Sequence, residues 1–304
     1  MRSSEHTFKS SDGTTIFYRR FLPDANPKAV LQIFHGMAEH SARYTDFANF
    51  LTDNGIAVYI NDHRGHGKTI ASPADYGVWP HRDEWWRIIG DLKQLKDIAT
   101  DECPNIPYFV LGHSMGSFLA RTFITKYSTE LSGVIISGTG TNPTAVLRFG
   151  RFIAKIACAF EGKRSKASLL DKLSFGGYNK GYNAPYQWLS RDDAQVRKYI
   201  DDELCGGVFS NSFYRGFFKG LIYINKRSSG MLINKNLKML FVSGDKDPVG
   251  NCGRGVEEAV EFYRDQRIAN IQLKLYPNAR HEILNEINKE EVYNDMLKWM
   301  INNC

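Results

Sequence analysis

The chain has 304 residues, of which 42% are hydrophobic and 24% charged, a composition typical of ordinary globular proteins. This length accommodates one large domain with an insertion or two smaller domains. The net charge of +6 is modest and the basic residues are spread along the sequence, which indicates a solvated basic surface and gives no reason to expect a nucleic-acid partner.

The amino-terminal stretch "MRSSEHTFKSSDGTTIFYRR" lacks the hydrophobic core of an export signal, and no apolar run approaches the roughly 20 residues that cross a bilayer. The absence of C-x-x-C pairs among the cysteines favours free thiols in a reducing compartment over disulfides or a zinc site. The five cysteines are Cys103, Cys158, Cys205, Cys252 and Cys304. We therefore expect a cytoplasmic protein without a bound metal.

The amino-terminal part alternates short β-rich runs with helical ones. Residues 14–22 alternate apolar and polar side chains, as a half-buried strand does. Residues 29–36 and 56–62 are nearly continuous apolar runs, which predict strands buried on both faces of a sheet. The stretch between them, 41–55, starts at a serine, has helical apolar spacing and ends at Asn-Gly, so it predicts a helix.

The same alternation continues towards the middle of the chain. Residues 83–102 form an amphipathic pattern typical of a helix, and the apolar run 107–112 predicts a buried strand. A further helix is predicted over 114–128 and another buried strand over 132–139. Repeated β-α units of this kind predict a mostly parallel sheet with helices on both faces.

The rhythm changes after this strand. Residues 140–236 contain helical segments and many aromatic side chains but no convincing buried strand. Strand and helix patterns then resume at 237–245, 253–266, 271–277 and 289–302. The middle block therefore predicts a mainly helical cap, inserted into an α/β core between two strands of its sheet.

The predicted domain organisation follows directly. The α/β core consists of residues 1–139 and 237–304, and the cap (lid) insertion consists of residues 140–236. The sequence contains no internal repeats, and it does not set the oligomeric state.

Polar residues follow several predicted strands, where functional groups gather in open parallel sheets. These residues are His35, Gly36, Met37, Asp62, His63, Arg64, His113, Ser114, Met115, Asp245, Asp247 and His281. A serine, an acid and a histidine therefore reach one edge of the sheet in the order Ser…Asp…His, which is the order of α/β-hydrolase triads.

The serine lies in the pattern G-x-S-x-G, formed by Gly112, Ser114 and Gly116. This pattern holds a nucleophile on a sharp strand-to-helix turn, although an ordinary turn satisfies it too. A serine hydroxyl needs a histidine to take its proton, and His281 stands between the last predicted strand and the last helix. The histidine in turn needs an acid on its other ring nitrogen.

Two aspartates compete for the role of that acid. Asp245 is closer to the preceding strand and is suited to a turn or cap, whereas Asp247 lies further into the loop, and the residues alone favour neither. The oxyanion of an acyl-transfer intermediate also needs preorganised N–H donors. Met115, at the start of a helix, and Met37, after "HG", are the expected donors, and Gly36 permits close approach of the backbone.

Five motifs, taken together and in order, resemble one known family. "FHGMAEHSARY", "DHRGHG", "GHSMGS", "GDKDPVG" and "ARHEILNE" resemble the monoacylglycerol lipase and bacterial lysophospholipase branch of the α/β-hydrolase fold, also described as serine aminopeptidase (S33-like) hydrolases. The resemblance runs from about residue 10 to the carboxyl terminus. It implies that Ser114 is the nucleophile, Asp247 the acid and His281 the base, with Met37 and Met115 as oxyanion donors.

The resemblance also implies the activity: a serine hydrolase without a cofactor or metal that cleaves carboxylic esters, above all monoacylglycerol or lysophospholipid-like ones. Asp62, Arg64, Glu39 and His40 are expected to shape and support loops beside the site rather than to take part in a chemical step.

Residues 145–160 predict an amphipathic helix in the cap. Its apolar face could contact a lipid surface, since the helix also carries Arg148, Arg151 and Lys155, or it could pack over the active site, the interpretation we favour. The apolar face comprises Val146, Phe149, Ile153, Ile156 and Phe160.

Aromatic residues of the cap are expected mainly to build its core, and a few of them to line an acyl pocket. They are Phe175, Tyr178, Tyr182, Tyr186, Trp188, Phe209, Phe213, Tyr214, Phe217 and Phe218.

Two other functions fit parts of the sequence. An amidase or aminopeptidase would use the same triad, with a carboxylate of the cap binding the free amino group. Candidates for that carboxylate are Asp192, Asp193, Asp201, Asp202 and Glu203. A non-catalytic binding protein on the same fold is disfavoured because such proteins typically lose a triad member, and all three are present here.

Overall fold

The centre of the molecule is a mostly parallel β-sheet. The computed structural model describes residues 2–304. Within them the eight strands are β1 (Arg2–Lys9), β2 (Thr15–Leu22), β3 (Ala29–Phe34), β4 (Ile56–Asn61), β5 (Tyr108–His113), β6 (Gly133–Ser137), β7 (Lys238–Gly244) and β8 (Ile271–Tyr276). Their order across the sheet is β1-β2-β4-β3-β5-β6-β7-β8. Strand β2 is antiparallel to both neighbours, and every pair from β4 to β8 is parallel.

Helices connect and cover these strands. In the described part of the chain they are α1 (Thr45–Asp53), α2 (Glu84–Glu102), α3 (Met115–Tyr127), α4 (Thr144–Phe160), α5 (Ser168–Phe175), α6 (Asp193–Asp201), α7 (Asn211–Ile224), α8 (Arg227–Gly230), α9 (Arg254–Asp265) and α10 (Lys289–Ile301). The strands and helices named from the sequence are all present with bounds close to those predicted. Strand β1 was not predicted, because "RSSEHTFK" is a mostly polar edge strand with a weak hydrophobic pattern.

The sheet separates two apolar layers because successive side chains of a buried strand point to opposite faces. On β3, Val30 joins the cluster that contains side chains of α2, α3 and α9. The next residue, Leu31, joins the cluster that contains side chains of α1 and α10. Both residues are fully buried. The helices therefore cover both faces of the sheet, as the α/β pattern predicts.

Five of the helices, α4 to α8, lie between β6 and β7 in the chain. In this block the described residues form no strand, only an isolated antiparallel bridge between Lys166 and Ser210. Helices α4 and α7 pack against each other, and α7 also contacts α2 and α3 of the core. The block is thus mainly helical, while its treatment as a separate cap domain stays a prediction.

Candidate active site

Ser114 occupies the turn between β5 and α3 in a conformation that L-residues rarely adopt, with φ 52° and ψ −120°. Such backbone strain persists only where the surrounding structure imposes it. The two glycines of the motif explain how the turn fits. A Cβ on Gly112 would overlap the carbonyl oxygen of Gly116, and a Cβ on Gly116 would overlap the carbonyl oxygen of Phe34. The close packing of α3 on the sheet therefore requires both glycines.

The structure brings Asp247, and not Asp245, to His281. The Nδ1 atom of His281 lies 2.9 Å from Oδ2 of Asp247, and both side chains are buried. Asp247 Oδ2 also accepts a hydrogen bond from Ser243 Oγ at 3.1 Å. Asp245 instead accepts a hydrogen bond from the backbone N–H of Asn278 at 2.7 Å. Asp245 thus stabilises the turn of the loop. From the residues alone, the sequence had left open whether Asp245 or Asp247 would be the acid.

Ser114 and His281 line the same cavity. Burial lowers the pKa of His281, whereas the charge and hydrogen bond of Asp247 raise it, and with the other nearby charges the pKa lies above its ordinary value of 6.5. The negative charges of Glu282 and Glu39 act in the same direction. The carboxylates around His281 therefore favour its protonated form, the state in which a general base is left after it has taken a proton.

Two aromatic rings contact His281, and sequence reasoning had given neither this role. The ring of His113 lies 4.7 Å from that of His281 between centroids, and the ring of Trp188 lies 5.1 Å away. The carbonyl oxygen of Trp188 also accepts a hydrogen bond from the backbone N–H of His281 at 3.3 Å. Trp188 was singled out only as one of many aromatics, and its contact depends on the chain path between α5 and α6. These contacts restrict the orientation of the imidazole.

The loop after β3 lies against the serine. A Cβ placed on Gly36 would lie 3.2 Å from Cβ of Ser114 and 2.5 Å from Oε1 of Glu39, so glycine allows this approach without displacing its neighbours. Met37 and Met115 both line a cavity beside Ser114. Met115 is the first residue of α3, where N–H groups have no acceptor within the helix. The assignment of both N–H groups as oxyanion donors stays a prediction.

Glu39 supports this loop from behind, in agreement with the expectation from the sequence. Its Oε1 atom accepts hydrogen bonds from the Gly36 N–H at 2.5 Å and from the Tyr44 hydroxyl at 2.8 Å. Its Oε2 atom accepts one from Nε of Arg43 at 3.3 Å, and Nη2 of Arg43 lies 2.5 Å from Oε2 of Glu282. Arg43 therefore links the loop of Met37 to the loop of His281, a connection that the sequence motifs did not reveal.

Asp62 and Arg64, in the motif "DHRGHG", bind groups of the protein itself. Asp62 accepts hydrogen bonds from the backbone N–H groups of Ser41 at 2.8 Å and Lys68 at 2.7 Å. Arg64 is buried and its Nε lies 2.6 Å from Oδ2 of Asp91. These bonds hold the loops around the site, as expected, and leave no sign of a chemical role.

A cluster of buried histidines lies behind the loop after β3. The N–H of His63 donates to Nε2 of His35 at 2.9 Å, and the rings of His35 and His66 are 5.2 Å apart between centroids. Burial lowers the pKa of His35 and of His66 to about 3, and that of His63 well below its ordinary value. These imidazoles are neutral at physiological pH and serve packing and hydrogen bonding.

Two cavities of about 350 Å³ each meet at Ser114, and both are also lined by Met37 and Phe175. The first, which we call the polar cavity, presents Glu39, Asp171, Asn179, Tyr186, Tyr199, Glu282 and His281 among its lining residues. The second, which we call the apolar cavity, is lined mainly by Met115, Phe118, Val146, Leu147, Phe149, Ile153, Leu170, Leu173, Tyr178, Phe217, Phe218, Leu221 and Val249.

The ten aromatic residues named from the sequence match the expectation only in part, because half of them are buried and more than a few line a cavity. Five are buried: Phe209, Phe213, Tyr214, Phe217 and Phe218. Phe175, Tyr178, Tyr186, Trp188, Phe217 and Phe218 reach one or both of the cavities at Ser114.

The apolar face of helix α4 was expected to pack over the active site, and the structure matches this expectation only in part. Val146, Phe149 and Ile153 line the apolar cavity, as packing over the site predicts. Ile156 and Phe160 do not, and Phe160 is 87% exposed. The helix instead buries Leu147 and Ala154, which lie on the side that packs against α7. A large part of its apolar surface therefore faces outward.

One group of side chains has the donor types of a metal site. The ligand atoms of His40, Asp202 and Cys205 lie within 4.8 Å of one another. His40 Nε2 and Asp202 Oδ2, however, already lie at hydrogen-bond distance, 2.8 Å. This bond, together with that from the Gly206 N–H to the Ala38 carbonyl at 3.0 Å, ties the segment after α6 to the loop after β3.

Comparison with known proteins finds lipases and an esterase that are similar to this chain. The chain is 29% identical to a monoacylglycerol lipase of Mycolicibacterium smegmatis over 300 residues, covering 98% of this chain and 97% of the relative. It is 31% identical to the monoglyceride lipase of Rattus norvegicus over 296 residues, covering 95% of this chain and 86% of the relative. A carboxyl esterase from Bacillus coagulans, solved in complex with glycerol, superimposes with a TM-score of 0.90 at 27% identity, with 99% of each chain covered.

The sheet, its serine turn and these relatives together define a hydrolase of the α/β-hydrolase fold, similar to monoacylglycerol lipases. The alternative of a non-catalytic binding protein is therefore set aside. The sequence matches the serine aminopeptidase S33 family over residues 25–288, and the chain belongs to that family. Among residues 2–304, no helix is both long and apolar enough to cross a membrane.

Proposed function

We propose that the chain hydrolyses carboxylic esters of long-chain acyl groups, such as monoacylglycerols or lysophospholipid-like esters, through an acyl-enzyme on Ser114. The observation that carries this proposal is the meeting of an apolar and a polar cavity at Ser114, beside the hydrogen-bonded pair of His281 and Asp247. The acyl chain would occupy the apolar cavity and the alcohol part the polar one. Glycerol, the alcohol of a monoacylglycerol, is the molecule found with the similar Bacillus coagulans esterase.

The proposed reaction has two halves. Ser114 Oγ attacks the ester carbonyl while Nε2 of His281 takes its proton, and the N–H groups of Met37 and Met115 stabilise the oxyanion. The intermediate collapses, the C–O bond to the alcohol breaks, and His281 gives its proton to the leaving oxygen. Water then attacks the acyl-enzyme with His281 again as the base, and the fatty acid leaves as Ser114 regains its proton. Asp247 fixes the tautomer of His281 and stabilises the imidazolium.

An ester is favoured over the peptide substrate of an aminopeptidase by the position of the carboxylates. None of the five candidate carboxylates named from the sequence lines either cavity at Ser114. Asp201, Asp202 and Glu203 line a different cavity, which also contains Arg43 and Lys198. Glu39, Glu282 and Asp171 do line the polar cavity, but Glu39 and Glu282 are ion-paired with Arg43. Asp171 accepts a hydrogen bond from the Tyr214 hydroxyl at 2.8 Å, and burial raises its pKa. Such a group is poorly suited to bind an ammonium ion.

A fluorophosphonate probe and a substrate panel test this function. The wild type should be labelled and Ser114→Ala should not, and equal labelling of the two would refute the assignment of the nucleophile. Asp247→Asn should lower kcat by about 10⁴-fold with the fold intact, because the tautomer of His281 is lost. Asp245→Asn removes a carboxylate from the same loop and should have little effect. Monoacylglycerols, lysophospholipids, p-nitrophenyl esters of increasing length and aminoacyl anilides distinguish lipase, short-chain esterase and peptidase.

We also propose that residues 140–236 act as a cap and that the exposed side of α4 makes transient contact with a lipid surface. Phe152, Ile156 and Phe160 are exposed large apolar residues on this helix. Phe152→Ser with Phe160→Ser should weaken binding to phospholipid vesicles, because it removes exposed apolar side chains that would contact the lipid. Neither residue lines a cavity at Ser114, so the lining of both cavities stays unchanged. Met231→Ser with Leu232→Ser, which alters two exposed apolar residues after α8, is the matched control. We also propose that the protein is cytoplasmic, as its sequence predicts.

A further inference from the structure

The fold gathers basic residues that are far apart in the sequence. Six cations line a groove of about 590 Å³ beside α4 and α7, and its remaining lining residues are Cys158 and Ala159. The six are Arg82, Arg151, Lys155, Lys163, Arg215 and Lys219. Basic residues that are spread along the sequence therefore cluster in space at this place. We refer to this feature as the basic groove.

These cations lack anionic partners within the protein. Across residues 2–304, none of the six takes part in an ion pair, and no carboxylate lines the groove. Glu161, close by in sequence, accepts a hydrogen bond from Nδ2 of Asn211 at 3.2 Å. Like charges in one groove repel each other, and an anion bound among them would relieve this repulsion.

Two of the cations also carry buried donors without an acceptor. Nε of Arg151 and Nη2 of Arg215 are buried nitrogen atoms with no hydrogen-bond partner in the structure. A buried polar group that has lost water and gained no partner costs free energy. Arg151 and Arg215 are nevertheless partly exposed as whole residues and line the groove. Guanidinium groups match the oxygens of phosphate in geometry and charge, so a phosphate group suits the groove.

The groove adjoins the exposed apolar side of α4. Arg151 and Lys155 are one turn apart on one side of this helix, and Phe152 and Ile156 follow each of them directly in the chain and lie on the neighbouring side. Phe152 and Ile156 are 58% and 43% exposed. Cations beside an exposed apolar stripe are typical of a helix that lies in the interface of an anionic membrane.

We propose that the basic groove binds the phosphate headgroups of anionic bilayer lipids and so directs the enzyme to negatively charged membranes. The proposal rests on the proposed function, in which the substrate is a lipid ester at such a surface. The apolar side of α4 would enter the bilayer while the groove holds the headgroups beside it. A soluble polyanion could bind in the groove but would make no contact with the exposed apolar side of α4. The proposed ligand is therefore a lipid.

Vesicle sedimentation tests the groove. The wild type should partition more strongly onto phosphatidylcholine vesicles that contain phosphatidylglycerol than onto phosphatidylcholine alone, and added salt should reduce the difference. Arg215→Gln with Lys219→Gln should weaken binding to the anionic vesicles by about 30-fold, since each cation near such a surface contributes to affinity. Arg264→Gln with Lys298→Gln removes two exposed cations from α9 and α10 and should bind nearly as the wild type does.

Three outcomes would overturn the proposal. The first is equal binding of the wild type to neutral and anionic vesicles. The second is equal weakening by the groove variant and the α9/α10 variant, which would reduce the effect to net charge. The third is stabilisation of the wild type, but not of the groove variant, by inorganic phosphate without any preference for anionic vesicles, which would assign the groove to a soluble phosphate compound.

Hydrolysis of a dissolved short-chain p-nitrophenyl ester keeps this proposal separate from the proposed function. The groove variant should hydrolyse that ester at the wild-type rate, since neither Arg215 nor Lys219 lines a cavity at Ser114. A wild type that hydrolyses no ester would refute the proposed function, whereas normal hydrolysis with no preference for anionic vesicles would refute the groove alone.

Discussion

Arg43 and Glu282 form an ion pair of 2.5 Å that is almost fully buried, with 8% and 5% of their side chains exposed. The same guanidinium contacts Glu39, which holds the N–H of Gly36. Glu282 directly follows His281 in the chain. One arginine thus sets the distance between the loop that carries Met37 and the loop that carries the proposed base.

Replacement of Arg43 should therefore destabilise the protein strongly. Arg43→Met leaves Glu39 and Glu282 buried without their cation, which costs about 3–5 kcal/mol of unfolding free energy. Urea unfolding followed by circular dichroism measures this loss. Arg254→Met, which breaks an exposed pair with Glu258, should change stability by less than about 1 kcal/mol. Similar losses for both variants would contradict the importance of the buried network.

The charge of Glu282 should be visible in the pH dependence of catalysis. It contributes to the raised pKa of His281 by stabilising the imidazolium. Glu282→Gln removes that stabilisation, so the pKa falls and the imidazole stays neutral, and active as a base, to lower pH. The acid limb of kcat/KM should therefore move to lower pH. Glu290→Gln, an exposed charge in the first turn of α10, should leave the limb in place.

Replacement by alanine should destabilise the protein at one helical glycine and stabilise it at another. Gly116→Ala places a methyl group against the Phe34 carbonyl and should cost more than about 2 kcal/mol, with loss of activity. Gly90→Ala, in α2, meets no atom within 4 Å and should stabilise the protein by about 0.5–1 kcal/mol. Thermal unfolding of both variants and the wild type measures the two changes in stability. A neutral effect at Gly116 would mean that α3 has room to move away from the sheet.

The apolar cavity should determine acyl-chain length. Ile153 lines it, so Ile153→Trp fills part of its volume and should lower kcat/KM for long-chain esters about tenfold or more relative to short-chain ones. Ile200→Trp, at a half-exposed position on α6 outside the cavity, is the matched control. Chain-length profiles with p-nitrophenyl esters provide the measurement. An unchanged profile for Ile153→Trp would show that the acyl chain lies elsewhere.

Local sequence patterns were sufficient for seven of the eight strands and for the proposed positions of Ser114 and His281. Buried strands such as β3 and β7 have continuous apolar runs, and the polar residues that follow them must reach one edge of a parallel sheet. Strand β1 escaped prediction because an edge strand with polar side chains gives little hydrophobic signal. The choice between Asp245 and Asp247 depended on the family resemblance, and the structure places Asp247 at His281.

Contacts between distant segments could not be predicted in this way. Trp188 meets His281 because the segment between α5 and α6 and the loop after β8 come together in space. Arg43 meets Glu282 because the segment after β3 reaches the same loop. The basic groove likewise takes Arg82 from before α2 and Arg215 from α7. The exposed part of α4 could not be predicted, because periodicity shows that a helix has an apolar face but does not show what covers it.

The meeting of two cavities at one serine has a consequence for the order of events. In the proposed reaction, the polar cavity is free once the alcohol has left, while the acyl chain still occupies the apolar cavity. Whatever enters the free space next decides the product: water gives a fatty acid, and a second alcohol gives a new ester. With added glycerol the enzyme should therefore show ping-pong kinetics and partition each acyl group between hydrolysis and transfer, so that this hydrolase is also a potential acyltransferase.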